Sequence, residues 1–185
     1  MEQHKHDIDR LVSLCREQDR GAQFQLYKLY SKAMYNTALR ILRDEHAAED
    51  AMQEAFLKAF TKLDHFRGEV TFGAWLKRIV VNESIDQLKK ADKRQETDLE
   101  PILYKTEDEA STGDEGFSFR DLQMQQVRQA LQQLKDSYRT VLTLLFIEGY
   151  DQEEIQEILN INAGNCRTLI SRAKDSLRVK LQLVS

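Results

Sequence analysis

Proline is almost missing from this chain: there is one, Pro101, with seven glycines among 185 residues. So few turn formers argue against a many-turned sheet and for helices. The two cysteines, Cys15 and Cys166, stand far apart, each on an apolar helix face. That placement predicts reduced core residues of a cytosolic protein, not a disulfide or a metal pair. No apolar run approaches the ~18 residues of a membrane-spanning helix. Nothing after Met1-Glu2-Gln3-His4-Lys5-His6 has the apolar character of a signal peptide. A glycine-rich phosphate loop, HExxH, CxxC and GxSxG are all absent. The adjacent acids Glu49/Asp50 and Glu153/Glu154 fall on different parts of a helix surface, so neither makes a general acid–base pair. His4 and His6 lie near the terminus, where a metal would lack a scaffold. These absences count against the enzyme classes that such motifs mark, and no cofactor, metal or small-molecule substrate is expected.

What is present is a helical, unevenly charged chain. Hydrophobic residues make up 41% of it, enough for packed cores in one or two domains. The formal net charge is −4, yet the acidity is local. Between residues 96 and 116, eight acidic residues face one basic, a net of −7. Residues 1–95 carry a net of +2 and residues 117–185 a net of +1. The acidic stretch has no sustained periodicity and holds the only proline, which predicts a flexible linker.

Helical periodicity organises the rest. Ile8, Leu11, Val12 and Cys15 predict a short amphipathic helix, with Asp7 as a candidate cap. A longer one spans about Ala22 to Leu42, with Leu26, Tyr27, Tyr30, Met34, Ala38, Ile41 and Leu42 inward. Asp44 can cap the next, whose apolar face is Ala48, Ala51, Met52, Ala55, Phe56, Ala59, Phe60 and Leu63. Its opposite face shows Glu49, Asp50, Gln53 and Glu54 around Leu57, either a protein-docking surface or a solvated acidic face with one stray leucine. After the loop His65–Thr71, a fourth helix runs from about Phe72 to Ala91. Between Lys77 and Arg94, six basic residues stand against three acidic. Cations beside aromatics such as Phe72 and Trp75 suit a single strand, unless those rings are simply core. Later, Met124, Val127, Leu131 and Leu134 form one stripe. Tyr138, Val141, Leu142, Leu145 and Phe146 form the next, ending at Gly149.

The stretch from Tyr150 to Lys180 is the most specific. Asp151 with Glu154 has capping-box spacing, and Ile155, Ile158 and Leu159 make one apolar face. Asn160 to Gly164 breaks the pattern, with Asn162 placed to cap a second helix. There Cys166, Leu169, Ile170, Ala173 and Leu177 point inward, while Arg167, Thr168, Ser171 and Arg172 point outward together. This is helix-turn-helix spacing, fit for a major groove, or else a packed hairpin with a basic face.

Taken jointly, these motifs resemble those of a known family. The run Ala47-Ala48-Glu49-Asp50-Ala51-Met52-Gln53-Glu54-Ala55-Phe56-Leu57-Lys58-Ala59-Phe60 resembles the region 2 helix of bacterial sigma factors. Phe66-Arg67-Gly68, Phe72, Trp75-Leu76, Arg78-Ile79, Asn82 and Asp86 are similar to the segment that follows it in the extracytoplasmic-function subgroup of the sigma-70 family. Glu148-Gly149-Tyr150, Glu154-Ile155, Gly164 and Ser171-Arg172-Ala173-Lys174 are similar to that subgroup's region 4. The likeness covers nearly everything except the linker. It departs at Cys166, Asn165, Leu169 and Leu134-Lys135, which bears on promoter preference.

The resemblance implies an all-α protein of two helical modules, residues 1–95 and 117–185, joined by the flexible acidic linker 96–116. It implies a factor, not itself an enzyme, that binds core RNA polymerase and directs it to promoter DNA, double-stranded and melted. Asp50, Gln53, Glu54 and Leu57 would dock polymerase. Phe66, Arg67, Gly68, Trp75, Lys77, Arg78, Asn82, Asp86, Lys89 and Lys90 would read and open the minus-ten element. Asn165, Arg167, Thr168, Ser171, Arg172 and Lys174 would read the minus-thirty-five element. Members are commonly held inactive by an anti-sigma partner, often membrane-anchored. Two other classes remain open: a ligand-responsive or dimeric helix-turn-helix regulator, which predicts a palindromic site, and a helical scaffold, which leaves the basic face of the last helix unexplained.

Overall fold

The computed structural model describes residues 2–95 and 119–184, with side chains over 6–91 and 126–182. The acidic segment 96–116 lies outside them, as does the side chain of Met124. Among the described residues there is no strand. The chain divides into two compact units, Met1–Glu96 and Thr97–Ser185.

The first unit holds α1 (Glu2–Arg16), α2 (Arg20–Leu42), α3 (Glu45–Thr61), a 3₁₀ turn (Leu63–His65) and α4 (Phe72–Gln95). Two aspartates set two of the starts. Asp19 Oδ1 accepts from the Ala22 amide at 2.8 Å, and Asp44 Oδ1 from the Ala47 amide at 2.7 Å. Each satisfies one of the amides that a helix N-terminus leaves open. Asp7 is no cap, because α1 already begins at Glu2. The upstream residues Glu2-Gln3-His4-Lys5-His6 contain no breaker, so nothing forces a start at Asp7. For the same reason α4 continues past Ala91 to Gln95.

These helices enclose one core. From α3 it takes Ala48, Ala51, Met52, Ala55, Phe56 and Ala59, as the periodicity predicts. Leu26, Met34, Ala38 and Ile41 come from α2, and Phe72, Leu76, Val80, Val81 and Ile85 from α4. Four alanines on the buried side of α3 leave room for α2 and α4 to approach it. Tyr30 packs edge-on against Phe72 with ring centres 5.5 Å apart. Beside them Gly73 leaves room for the ring: a Cβ there would lie 2.8 Å from Tyr30 and force it to shift.

The second unit comprises α5 (Phe119–Gln132), α6 (Asp136–Leu142), a π-helical turn (Thr143–Ile147), α7 (Gln152–Leu159) and α8 (Ala163–Val184). The capping box forms as spaced, with the Glu154 amide donating to Asp151 Oδ1 and the Asp151 amide to Glu154 Oε2, both at 2.9 Å. Asn160 closes α7 in the left-handed region at φ 56°. Asn162 Oδ1 then accepts from the Asn165 amide at 2.8 Å and caps α8. The helices α5, α6 and α7 all pack on α8.

One side-chain expectation fails here. Phe146, assigned inward, is 61% exposed, while Leu144 is fully buried. The π-helical turn is the cause. It makes the Glu148 amide donate to the Thr143 carbonyl at 2.9 Å. The extra residue per turn slips the 3.6-residue register and everts Phe146.

Candidate functional site

In the first unit the outward side of α3 carries Asp50, Gln53 and Glu54, all exposed, around Leu57, which is 62% exposed. Gln53 Nε2 donates to Glu49 Oε1 at 3.1 Å. An apolar side chain framed by carboxylates and an amide, on a rigid packed helix, has the makings of a contact for a basic protein surface.

The loop after the 3₁₀ turn is fixed from both ends. Phe66 is only 6% exposed, its ring 5.3 Å from Trp75 and 5.8 Å from Phe72. It can present a stacking face only by leaving the core, so its place in the fold is that of an anchor. Its carbonyl oxygen accepts from Arg16 Nη2 at 2.7 Å. Thr71 Oγ1 accepts from the Ala74 amide at 3.2 Å and caps α4. Between the anchors Arg67 and Gly68 are exposed, Gly68 at φ 76°, where a side chain would be strained. A groove of about 730 Å³, lined among others by Asp9, Arg16, Tyr30, Arg67 and Thr71, separates this loop from α1. Its size falls in the ~300–1,000 Å³ range of ligand clefts. Burial pushes the Tyr30 phenol up, so it lines the groove as a neutral hydroxyl.

Along α4, Trp75, Lys77 and Arg78 are half-buried, and Asn82, Asp86, Lys89 and Lys90 are exposed. Arg78, Asn82 and Asp86 recur every fourth residue and share one side of the helix. Behind them the sequence hid a partner. Glu83 is buried, and its Oε2 takes a hydrogen bond from Lys58 Nζ of α3. That bond is the first cause raising the Lys58 ammonium, with burial working against it.

In the second unit Asn165, Arg167, Thr168, Ser171 and Arg172 are all exposed on the first turns of α8. Arg167 Nε donates to the Ala163 carbonyl at 3.3 Å and Thr168 Oγ1 to the Gly164 carbonyl at 2.9 Å. Lys174 is half-buried, its ammonium 5.3 Å from the centre of the Phe146 ring. Cys166 is fully buried, with its Sγ 3.8 Å from the Gln152 carbonyl oxygen of α7. That residue therefore fills the α7–α8 interface and leaves the outer face to its neighbours. Burial also raises its thiol, which fits a structural cysteine.

The candidates thus gather in two places: the docking and strand-reading residues on the first unit, the helix-turn-helix residues on the second. Spacing alone missed Arg16, Lys58 and Glu83, whose partners are distant in sequence. It also missed the exposed pair Phe146 and Ile147, the first of them under Lys174 of α8.

Comparison with known proteins gives a consistent set of likenesses. The Sigma-70 region 2 model matches residues 26–94, and the Sigma-70, region 4 model matches residues 124–177. The ECF RNA polymerase sigma factor SigW of Bacillus subtilis is 31% identical over 191 aligned positions, spanning 95% of this chain and 97% of that one. The RNA polymerase sigma-H factor of Pseudomonas aeruginosa is 29% identical, over 94% and 93% of the two chains. Among solved structures, the sigma factor RpoE of Bartonella quintana, in complex with the anti-sigma factor NepR, superposes with a TM-score of 0.61. It is 26% identical, over 85% of this chain and 95% of that chain.

Proposed function

This chain belongs to the extracytoplasmic-function group of the sigma-70 family and is an RNA polymerase sigma factor, and from that premise we propose how its residues divide the work. Asp50, Gln53, Glu54 and Leu57 on α3 dock core polymerase. Arg67, Gly68, Asn82 and Asp86 capture the opened minus-ten strand, with Trp75 flanking it. Lys77, Arg78, Lys89 and Lys90 hold its phosphates. Phe66 acts from inside the core by fixing the loop. Arg167, Thr168, Ser171 and Arg172, with Asn165 and Lys174 at the margin, read the minus-thirty-five duplex in the major groove.

The observation that carries this reading is the pairing of faces in one compact unit. Helix α3 turns its acids and Leu57 outward while α4, packed against it, turns Asn82 and Asp86 outward. Two packed helices that carry a docking face and a strand-reading face support a reading in which one unit contacts both polymerase and melted DNA. The chemistry belongs to the polymerase, so the chain acts as a binding factor without catalysis of its own and works in the cytoplasm. Among the described residues no helix is long and apolar enough to cross a membrane. Bartonella quintana RpoE is bound by an anti-sigma factor, and a similar inhibitor, membrane-anchored in some members of the family, would compete for the α3 face here. The test is capture of purified bacterial core polymerase followed by transcription in vitro. Capture with promoter-dependent transcripts is expected. A homodimer that ignores polymerase and binds a palindrome unaided would overturn the reading.

A further inference from the structure

Lys58 stands where two surfaces meet. It follows Leu57 on α3, four residues after Glu54, and its stem crosses to α4, where Nζ bonds the carboxylate of Glu83. The lysine side chain is 46% exposed, whereas Glu83 is buried. Two more carboxylates act on the same ammonium through space, Glu54 of α3 and Asp86 of α4. A buried carboxylate is stable only if its charge is matched. The bond to Lys58 therefore adds a polar tie to the apolar packing that sets the rotation of α4 against α3. Glu83 lies next to Asn82 and three residues before Asp86, so that rotation aims both.

We propose that Lys58 is a positioning residue that ties polymerase docking on α3 to strand reading on α4, by holding Glu83 and with it the outward aim of Asn82 and Asp86. This rests on the assignment of those two faces given above. When a polymerase cation engages Glu54, that carboxylate no longer draws on the Lys58 ammonium, and Lys58 settles more fully on α4. Docking thus stiffens the aim of the reading helix before a strand arrives. Misplacement of a reacting or reading group by about 1 Å can cost up to ~100-fold in rate, so a loosened α4 is costly even when the fold survives.

The experiment uses the full chain with purified bacterial core polymerase and a promoter recovered by the wild-type holoenzyme from a randomised library. Core affinity, thermal stability and the rate of strand opening, followed by permanganate reactivity, are measured for K58M, E83Q, K58M/E83Q, K58R and N82A. K58M should hold core within about twofold and open the promoter about tenfold more slowly, with K58R close to wild type. K58M strands the Glu83 charge and lowers the melting temperature, and K58M/E83Q removes that charge and restores it. Opening by the double variant should nevertheless stay slow, which a merely structural role would not produce. Opening that recovers together with stability, or wild-type opening by K58M, overturns the proposal. N82A separates the two levels. If N82A opens normally, the reading of α4 fails and this proposal with it; if N82A blocks opening while K58M does not, only the coupling fails.

Discussion

Arg16, the last residue of α1, donates from Nη2 to the carbonyl oxygen of Phe66, fifty positions further on, at 2.7 Å. This one bond closes α1 over the candidate strand-capturing loop. The Phe66 ring holds the same residue from the other side, edge-on to Phe72 and tilted against Trp75. Backbone and ring together set where Arg67 and Gly68 emerge.

Arg16→Met keeps the apolar stem and deletes the donor. A bond from a charged donor contributes about 1.5–3 kcal/mol when buried, and this partly exposed one should give about 1 kcal/mol. For a unit of this size that lowers the melting temperature by roughly 4–8 °C. Amide exchange should speed up at Arg67 to Thr71 and not in α2 or α3. Unchanged exchange in the loop would show that the aromatic anchor suffices alone.

Cys15 gives a test in pH. Burial, helped by the nearby Asp19 charge, pushes its thiol up from 9.0 to about 11. A raised folded pKa means that its contribution is complete below the unfolded pKa. It is then lost as pH climbs from about 9 towards about 11, because the unfolded thiol ionises first. Two units correspond to at most about 2–3 kcal/mol. Trp75, the only tryptophan, reports the first unit. Its fluorescence should show stability falling over that window in the wild type and a flatter alkaline limb in Cys15→Ala, which pays a small packing cost at neutral pH. Parallel limbs would remove Cys15 as the cause.

Docking is tested by charge reversal. Asp50→Lys and Glu54→Lys should each weaken core binding by about 2–5 kcal/mol, provided those carboxylates become buried against polymerase cations. Both positions are exposed in the free chain, so circular dichroism should be unchanged. Full affinity with an intact fold would assign docking to another surface.

Much of this fold is legible in the sequence because its signals are local. The caps at Asp44, Asp151 and Asn162 and the alanine stripe of α3 each depend on residues within a few positions of one another. What stayed hidden depends on contacts between distant positions, or on register. Glu83 counts only as one acid among the cations of α4 until Lys58 arrives from α3. Arg16 reads as an ordinary helix-end cation until Phe66 offers its carbonyl. Phe146 was misplaced because a π-helical turn has no compositional mark, and one extra residue turns a face around. The joint order of motifs carried the family, since no single spacing distinguished a reading helix from a packed hairpin.

The recognition helix separates its two arginines. Arg167 bonds the carbonyl of Ala163 through Nε, which leaves its two terminal amino groups to reach DNA. Arg172 lies five residues on and is exposed. If Arg172 reads a base, Arg172→Ala should cost about 1–3 kcal/mol and relax preference at one promoter position. Arg167→Ala should weaken binding evenly across sequences and reduce the salt slope by about one, as a phosphate contact does. Titrations of holoenzyme on promoter variants at several salt concentrations distinguish the two. An Arg172→Ala variant matching wild type in both respects would exclude it from the interface.

Strand opening makes the strictest demand on the first unit. A base taken out of the stack loses a few kcal/mol of stacking and pairing, so a pocket and phosphate anchors must replace them. The groove beside Arg67 is roomy enough, and Gly68 allows close approach without a side chain in the way. Asn82 and Asp86 lie outward on the neighbouring helix, where amide and carboxylate can bond base edges, and Arg78 is half-buried one turn before them. Asn82→Ala removes a donor and an acceptor from an exposed position, so the fold and core binding should survive. Open complexes on a double-stranded promoter should then fail to form. A pre-melted template should rescue only part of the loss, because it supplies the melting without the capture of the base. Complete rescue would confine Asn82 to melting. Wild-type permanganate reactivity of the minus-ten thymines on duplex DNA would remove it from the site altogether.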